Sequence, residues 1–171
     1  MIDGLTDIFP VPPWIVGYVF CLCLGWSADH FNARGWHIAF SSTLGGIGWL
    51  TAGLLPADAY MARYGCLFLC ACGAFPSSGP LSAWVTCNVP SIVTMGIATA
   101  LNNSCAGISQ MVAQWIWRPV EAKQGYPTGN FVCAACSLAT ACIAIGLRLW
   151  YARMNARGVK DASGKDRVWL L

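Results

Sequence analysis

Residues 64–117 read YGCLFLCACGAFPSSGPLSAWVTCNVPSIVTMGIATALNNSCAGISQMVAQWIW, without one Asp, Glu, Lys, Arg or His. As one helix at about 1.5 Å per residue this stretch would measure roughly 80 Å, more than twice a hydrocarbon thickness of about 30 Å. It has to fold back once and cross twice. Pro90, after Thr86, Cys87 and Asn88, supplies the break. No water-soluble domain needs such a run, so the expected fold class is all-α, a polytopic transmembrane helix bundle.

Composition outside the run agrees. Of 171 residues, 57% fall in the set AVILMFWYC and 10% are charged, against about 45–50% and roughly 25% in an ordinary soluble chain. The formal net charge of +3 resides mostly in cations near the carboxy end rather than in a folded patch, so the lipid bilayer is the implied partner and nucleic acid is not. Asp3 and Asp7 precede Pro10, Pro12 and Pro13 with no Lys or Arg among them. A positive leader region is missing there, and the first span is expected to be an uncleaved anchor. The ten cysteines lie inside apolar segments, where a thiol behaves as a small hydrophobe. Cys133 and Cys136 form a C-x-x-C in the middle of an expected span, with no second pair or nearby His. No metal and no other cofactor is expected.

Apolar windows between charges divide the chain into an outer segment 1–11, a bundle 12–151 and a cytoplasmic tail 152–171. The five spans are read at 12–27, 36–55, 63–86, 91–117 and 127–151. The third is interrupted by Pro76-Ser77-Ser78-Gly79-Pro80, which cannot hold regular helical hydrogen bonding and must bend or unwind. Alternating the loops puts Arg34, Arg148, Arg153, Arg157, Lys160, Lys165 and Arg167 on one side and Arg63, Arg118 and Lys123 on the other. The excess marks the tail side as cytoplasmic and the amino terminus as outside.

At about 100° per residue, Gln110 lies about 20° from Thr99, Asn103 about 40°, Gln114 and Gly96 about 60°, and Gly107 about 80°. Amides are costly against lipid, so this face of the fourth span should meet other helices or line a water-filled cavity. Both readings stay open. Ser77, Ser78 and Ser82 surround the proline break, where freed carbonyls and hydroxyls would face a ligand, unless the break is a plain kink. Gly45, Gly46, Gly48 and Gly53 on the second span read as a close helix contact. Because no Asp, Glu, Lys or Arg lies deep in any span, proton coupling or an ion pair to an anion needs groups these spans do not provide.

The loop Gly25-Trp-Ser-Ala-Asp29-His30-Phe-Asn-Ala-Arg34-Gly35 resembles the cytoplasmic G-x-x-x-D-R-x-x-x-R-G loop of the major facilitator superfamily, with His30 where the motif has Arg. Val11-Pro12-Pro13-Trp14 opens the span before it. Trp115-Ile-Trp-Arg118-Pro-Val-Glu121-Ala-Lys-Gln-Gly125-Tyr126-Pro127-Thr128-Gly129 closes the span before the last. Together these resemble the fungal anion:cation symporters related to allantoate permease, which include nicotinate, pantothenate and biotin carriers. The resemblance implies that the chain matches helices eight to twelve of a twelve-helix carrier. Spans one, three and four would then face a central cavity between two rocking halves. It also implies that Gly25, Asp29, Arg34 and Gly35 form a gating loop, with Asp29 meeting a helix amino terminus of the other half. A plain polar turn is the alternative for that loop, and Arg118, Glu121 and Lys123 are expected to be solvated.

The leading expectation is a carboxy-terminal fragment of a secondary active transporter for a small organic anion or vitamin-like solute, such as allantoate, nicotinate or pantothenate, at the plasma membrane. Thr99, Asn103, Gln110, Gln114, Ser77 and Ser78 are the candidate substrate-binding residues. Such a fragment would need the missing amino-terminal half or a full-length relative as partner. The alternatives are a non-transporting scaffold or modulator docked on a full-length carrier, or a truncated gene product. A thiol enzyme would require a Cys beside a base, a pattern not found, so no catalytic residue and no enzyme is expected.

Overall fold

The computed structural model describes residues 11–89, 91–158 and 168–170. Among these residues it is all-helical. α1 runs Val11–His30, α2 Arg34–Leu54, α3 Tyr60–Ala74, α4 Ser78–Cys87, α5 Ile92–Ile116 and α6 Pro127–Ala156, with a 3-10 turn at Pro119–Gln124. Every expected span has its helix, and the third is broken in two as its prolines require. The break falls at Phe75, Pro76 and Ser77, while Pro80 sits in the first turn of α4, where a missing N–H costs nothing. Pro90, Asp3, Asp7, Pro10, Lys160, Lys165 and Arg167 lie outside the described residues.

α6 runs on past position 151 to Ala156, one helical turn beyond the span read at 127–151. Arg153 in that turn complements the negative end of the helix dipole. Further, among the described residues only Val11–His30, Tyr60–Cys87 and Pro127–Ala156 are both long and apolar enough to cross a membrane, not five segments. α2 and α5, at 21 and 25 residues, have the length. Their Gly, Ser, Thr, Asn and Gln lower the mean hydropathy, because α2 is built for helix contact and α5 carries the amides.

Contacts nevertheless run all the long helices between the same two ends. One end gathers Arg34, Cys87, Arg148 and Asn155. The other gathers Ala52, Arg63, Trp117 and Gly125. α2 lies in the middle, packed extensively on α6 and α3. Its glycines make that possible. A Cβ at Gly46 would sit 2.8 Å from Leu138 of α6, one at Gly48 would sit 2.9 Å from the Cys70 backbone nitrogen of α3, and Gly45 meets the backbone of Gly73. The close-contact reading of these glycines holds.

The bundle is inverted relative to a soluble protein. Small residues fill the interior, including Ala39, Ser41, Ser42, Ala134, Ala141 and Ala144, while Trp14, Ile15, Tyr18, Leu22, Met111 and Trp115 point outward. Helix pairs in lipid gain from close backbone packing rather than from hiding Leu and Trp, since acyl chains solvate those well. A compact cluster of Ile38, Ala39, Trp84 and Ala144 sits toward the end that holds the α1–α2 loop.

Candidate functional site

Hydroxyls within the helices mostly satisfy themselves. Thr43 donates to the Ala39 carbonyl, Thr99 to Met95 at 2.9 Å, Ser109 to Cys105 and Thr140 to Cys136. This i−4 bond is what makes Ser and Thr tolerable in an apolar span. Amides with two donors and two acceptor sites have no such local solution. On α5, Asn103, Gln110 and Gln114 are exposed and make no hydrogen bond to any described residue. The helix is regular over Ile92–Ile116, so the angular register puts Thr99, Asn103, Gln110 and Gln114 on one face.

Among the described residues nothing covers that face. α5 has no buried residue and touches α4 and α6 only lightly. A Cβ at Gly96 or Gly107 would meet nothing within 4 Å. Close packing by neighbours within the chain therefore does not account for the amides or the glycines.

The other candidate binding residues lie elsewhere. Ser77 Oγ donates to the Ala74 carbonyl at 3.1 Å and Ser78 Oγ to Phe75 at 2.8 Å. Hydroxyl and carbonyl thus engage each other across the helix break, the arrangement expected of a plain kink. Pro76 is buried, and neither serine is hydrogen-bonded to the α5 amides.

The loop residues do come together. Arg34 reaches Asp29 Oδ1 through Nη2 at 2.8 Å and Nε at 3.1 Å, and its Nη1 donates to Cys87 Sγ at 3.1 Å. Asn32, with φ of 47°, turns the chain between α1 and α2 so that the two side chains meet. Contact with Cys87 first, and with Asp29 second, holds the Arg34 guanidinium even further toward its charged form than usual. The Asp29 side chain remains 67% exposed, with Oδ2 open to another partner. Gly35 is buried because the aliphatic stem of Arg148 lies across it, and the Arg148 guanidinium sits 4.6 Å from the Trp36 ring centroid. Gly25 is half-buried on α1 with open space where a Cβ would be.

Several polar contacts escaped the sequence reading. His37 Nδ1 meets the Ala33 carbonyl at 2.8 Å, which makes Nδ1 a donor, and Nε2 meets Ser27 Oγ at 2.9 Å. At the opposite end, Arg63 Nη2 donates to the carbonyls of Ala52 and Gly125, pinning α3 to α2 and to the turn before α6. Glu121, expected to be a solvated loop charge, accepts from both the backbone N–H and the hydroxyl of Thr128 and so caps the start of α6. Glu121 lies well ahead of Tyr126, the cap position of α6, so spacing alone did not reveal this contact. The reach of Arg63 across 62 residues to Gly125 has no sequence signature. All ten cysteines are free thiols.

No protein-family model matches the chain. No solved structure matches it. Among curated proteins it is 42% identical to the MFS transporter prlL of a fungal species over 98% of its own length and 34% of the relative's. It is 28% identical to the major facilitator-type transporter hxnP of Emericella nidulans over 97% of its length, again 34% of the relative's. An uncharacterized transporter of Schizosaccharomyces pombe is 25% identical over 77% of the chain and 26% of its own length. The chain thus spans about a third of the first two relatives and less of the third, and all three are named as transporters rather than enzymes. Similarity over nearly its whole length, with apolar helices suited to lipid, supports the major facilitator superfamily for this membrane-embedded chain.

Proposed function

We propose that the chain forms one wall of a secondary active transporter, matching helices eight to twelve of the fungal anion:cation symporters related to allantoate permease. The observation that carries this reading is α5, an amide-bearing helix left uncovered along its whole length in a chain whose other helices pack on one another. An amide row exposed to acyl chains is costly, so the face is built for water, for solute or for further protein. Relatives roughly three times as long supply what further protein would be.

In this reading Thr99, Asn103, Gln110 and Gln114 offer hydrogen bonds to a small organic anion or vitamin-like solute, such as allantoate, nicotinate or pantothenate, within an alternating-access cavity. Ser77 and Ser78 mark the bend of a cavity-side helix, with their hydroxyls already engaged. Asp29 keeps one oxygen for a helix amino terminus across the gate, and Arg34 holds it in place. The coupling proton and the positive charge for the anion come from the remaining part of the carrier, because α1 to α6 carry no acidic or basic group at mid-span. The amino-terminal end faces outward and the carboxy-terminal end the cytoplasm, at the plasma membrane.

Uptake of labelled solute into vesicles is the direct test, comparing this chain alone, the chain with the complementary part of a related carrier, and a full-length relative. Transport is expected only where the complementary part is present. Proton-driven uptake by this chain alone would overturn the reading. Capture of a full-length carrier without any change in its transport would favour the scaffold role instead.

A further inference from the structure

Trp169 and Leu170 lie against the bundle and are held by the side chains of Asn155, Asn88 and Trp84. The Asn155 amide of α6 pairs with both backbone groups of Trp169: its Nδ2 donates to the carbonyl at 2.9 Å, and the Trp169 N–H donates to Oδ1 at 2.8 Å. Asn88, at the end of α4, does the same for Leu170. The Leu170 N–H donates to its Oδ1 at 2.9 Å, and its Nδ2 donates to the Leu170 carbonyl at 3.2 Å. That carbonyl also accepts from Trp84 Nε1 at 2.7 Å. Each asparagine thus matches both peptide groups of one residue, and two consecutive residues are held in this way.

The rings reinforce this. Trp169 stacks flat on Tyr151, centroids 5.1 Å apart and planes 5° apart, and Tyr151 meets Trp84 edge-on at 5.7 Å. Trp84 belongs to the compact cluster with Ile38 and Ala144. Beside Asn88 stands Cys87, whose sulfur accepts from Arg34, which in turn holds Asp29. The carboxy-terminal residues are therefore joined, contact by contact, to the loop between α1 and α2.

We propose that residues 168–170 are a built-in strap that clamps the ends of α4 and α6 together and, through Cys87 and Arg34, steadies the α1–α2 loop. Strap and loop share one end of the bundle, so releasing the strap frees the end of α4 to move and loosens the grip of Arg34. The inference rests on contacts within this chain and is independent of any transport activity.

Hydrogen–deuterium exchange on the purified full chain in detergent tests it. In the parent protein the terminal peptide exchanges slowly. In the Asn88→Ala, Asn155→Ala double variant it exchanges about tenfold faster or more, and the peptide spanning residues 29–36 also speeds up, while α2 stays protected. Trp169→Ala removes the stack without touching a helix and is expected to act in the same direction, which keeps the test open should the double variant fold poorly. A terminal peptide that exchanges in the parent at the rate of free peptide would overturn the strap. A loop peptide indifferent to strap release in both variants would overturn the linkage to the loop.

Discussion

Arg34 shows how much one side chain does here. Its three contacts join α1, α2 and α4, yet Asp29 is largely exposed, so that ion pair adds at most about 1 kcal/mol. The expected effect of Arg34→Ala is local. The Cys87 thiol, already exposed, becomes slower to modify by a maleimide, read by peptide mass mapping, because a nearby cation favours the attacking thiolate, while resistance to denaturation changes little. Arg34→Lys is not expected to restore the parent rate, since an ammonium cannot serve Asp29 and Cys87 with the same fork. Equal Cys87 reactivity in all three proteins would contradict the contact. The loop motif itself was legible in the sequence, but the thiol partner was not, because Cys87 lies 53 positions away and reads as one more apolar-segment cysteine.

Glycine position makes a second residue-scale contrast. Gly48→Ala brings a Cβ within 2.9 Å of the Cys70 backbone, which cannot yield as a flexible side chain would. Overpacking of this kind costs about 1–3 kcal/mol. Gly65→Ala meets nothing within 4 Å and should stay within about 1 kcal/mol of the parent. Unfolding titrations in mixed micelles, followed by tryptophan emission, measure both. A Gly48→Ala protein as stable as Gly65→Ala would mean that α2 and α3 do not approach as described.

At the scale of the element, α3 and α4 illustrate what a proline-rich interruption does. The break was legible from Pro76 and Pro80, but the use of the serines was not, since only the fold shows each hydroxyl turned back on the carbonyl three residues before it. The end of α3 near Arg63 carries a testable consequence. Substituting Arg63 by Met takes the guanidinium donor from the carbonyls of Ala52 and Gly125 and leaves the latter with Asn130 Nδ2 alone. Losing hydrogen bonds to a charged group costs about 1.5–3 kcal/mol. The expected result is an earlier unfolding midpoint, accompanied by a change in emission from Trp49 and Trp117, which sit near that end. An unchanged midpoint would reduce Arg63 to a surface cation.

α5 gives the opposite lesson. Its amide row was read from periodicity alone, and the helix forms over that range with Ser91 capping its first turn. Replacing Gln110 by Leu should leave the stability of this chain unchanged or raise it, because the amide has no partner among the described residues. In an assembled carrier the same change should lower uptake at least about tenfold if Gln110 supplies a hydrogen bond to the solute. Full uptake by the Leu variant would remove Gln110 from the proposed site.

For the molecule as a whole, the placement of large side chains decides behaviour. Trp14, Tyr18, Trp26, Met61, Met111 and Trp115 are exposed, in patches far beyond what a soluble monomer presents. The purified chain is expected to stay dispersed in detergent or lipid and to precipitate when diluted into plain buffer, as size-exclusion chromatography would show. A monodisperse peak without detergent would contradict a membrane-embedded bundle.

Charge depletion, the length of the apolar runs and the position of their prolines were enough to establish an all-helical membrane bundle and its breaks, because in lipid a helix satisfies its own backbone and leaves few alternatives. Angular spacing alone located the amide face. Tertiary structure decided which helix glycine lies against which neighbour, that Glu121 caps α6, that Arg63 joins α3 to α2 and the turn before α6, and that the final residues clasp α4 and α6. Those contacts depend on which distant segments share an end of the bundle, and a period of 3.6 residues carries no information about that.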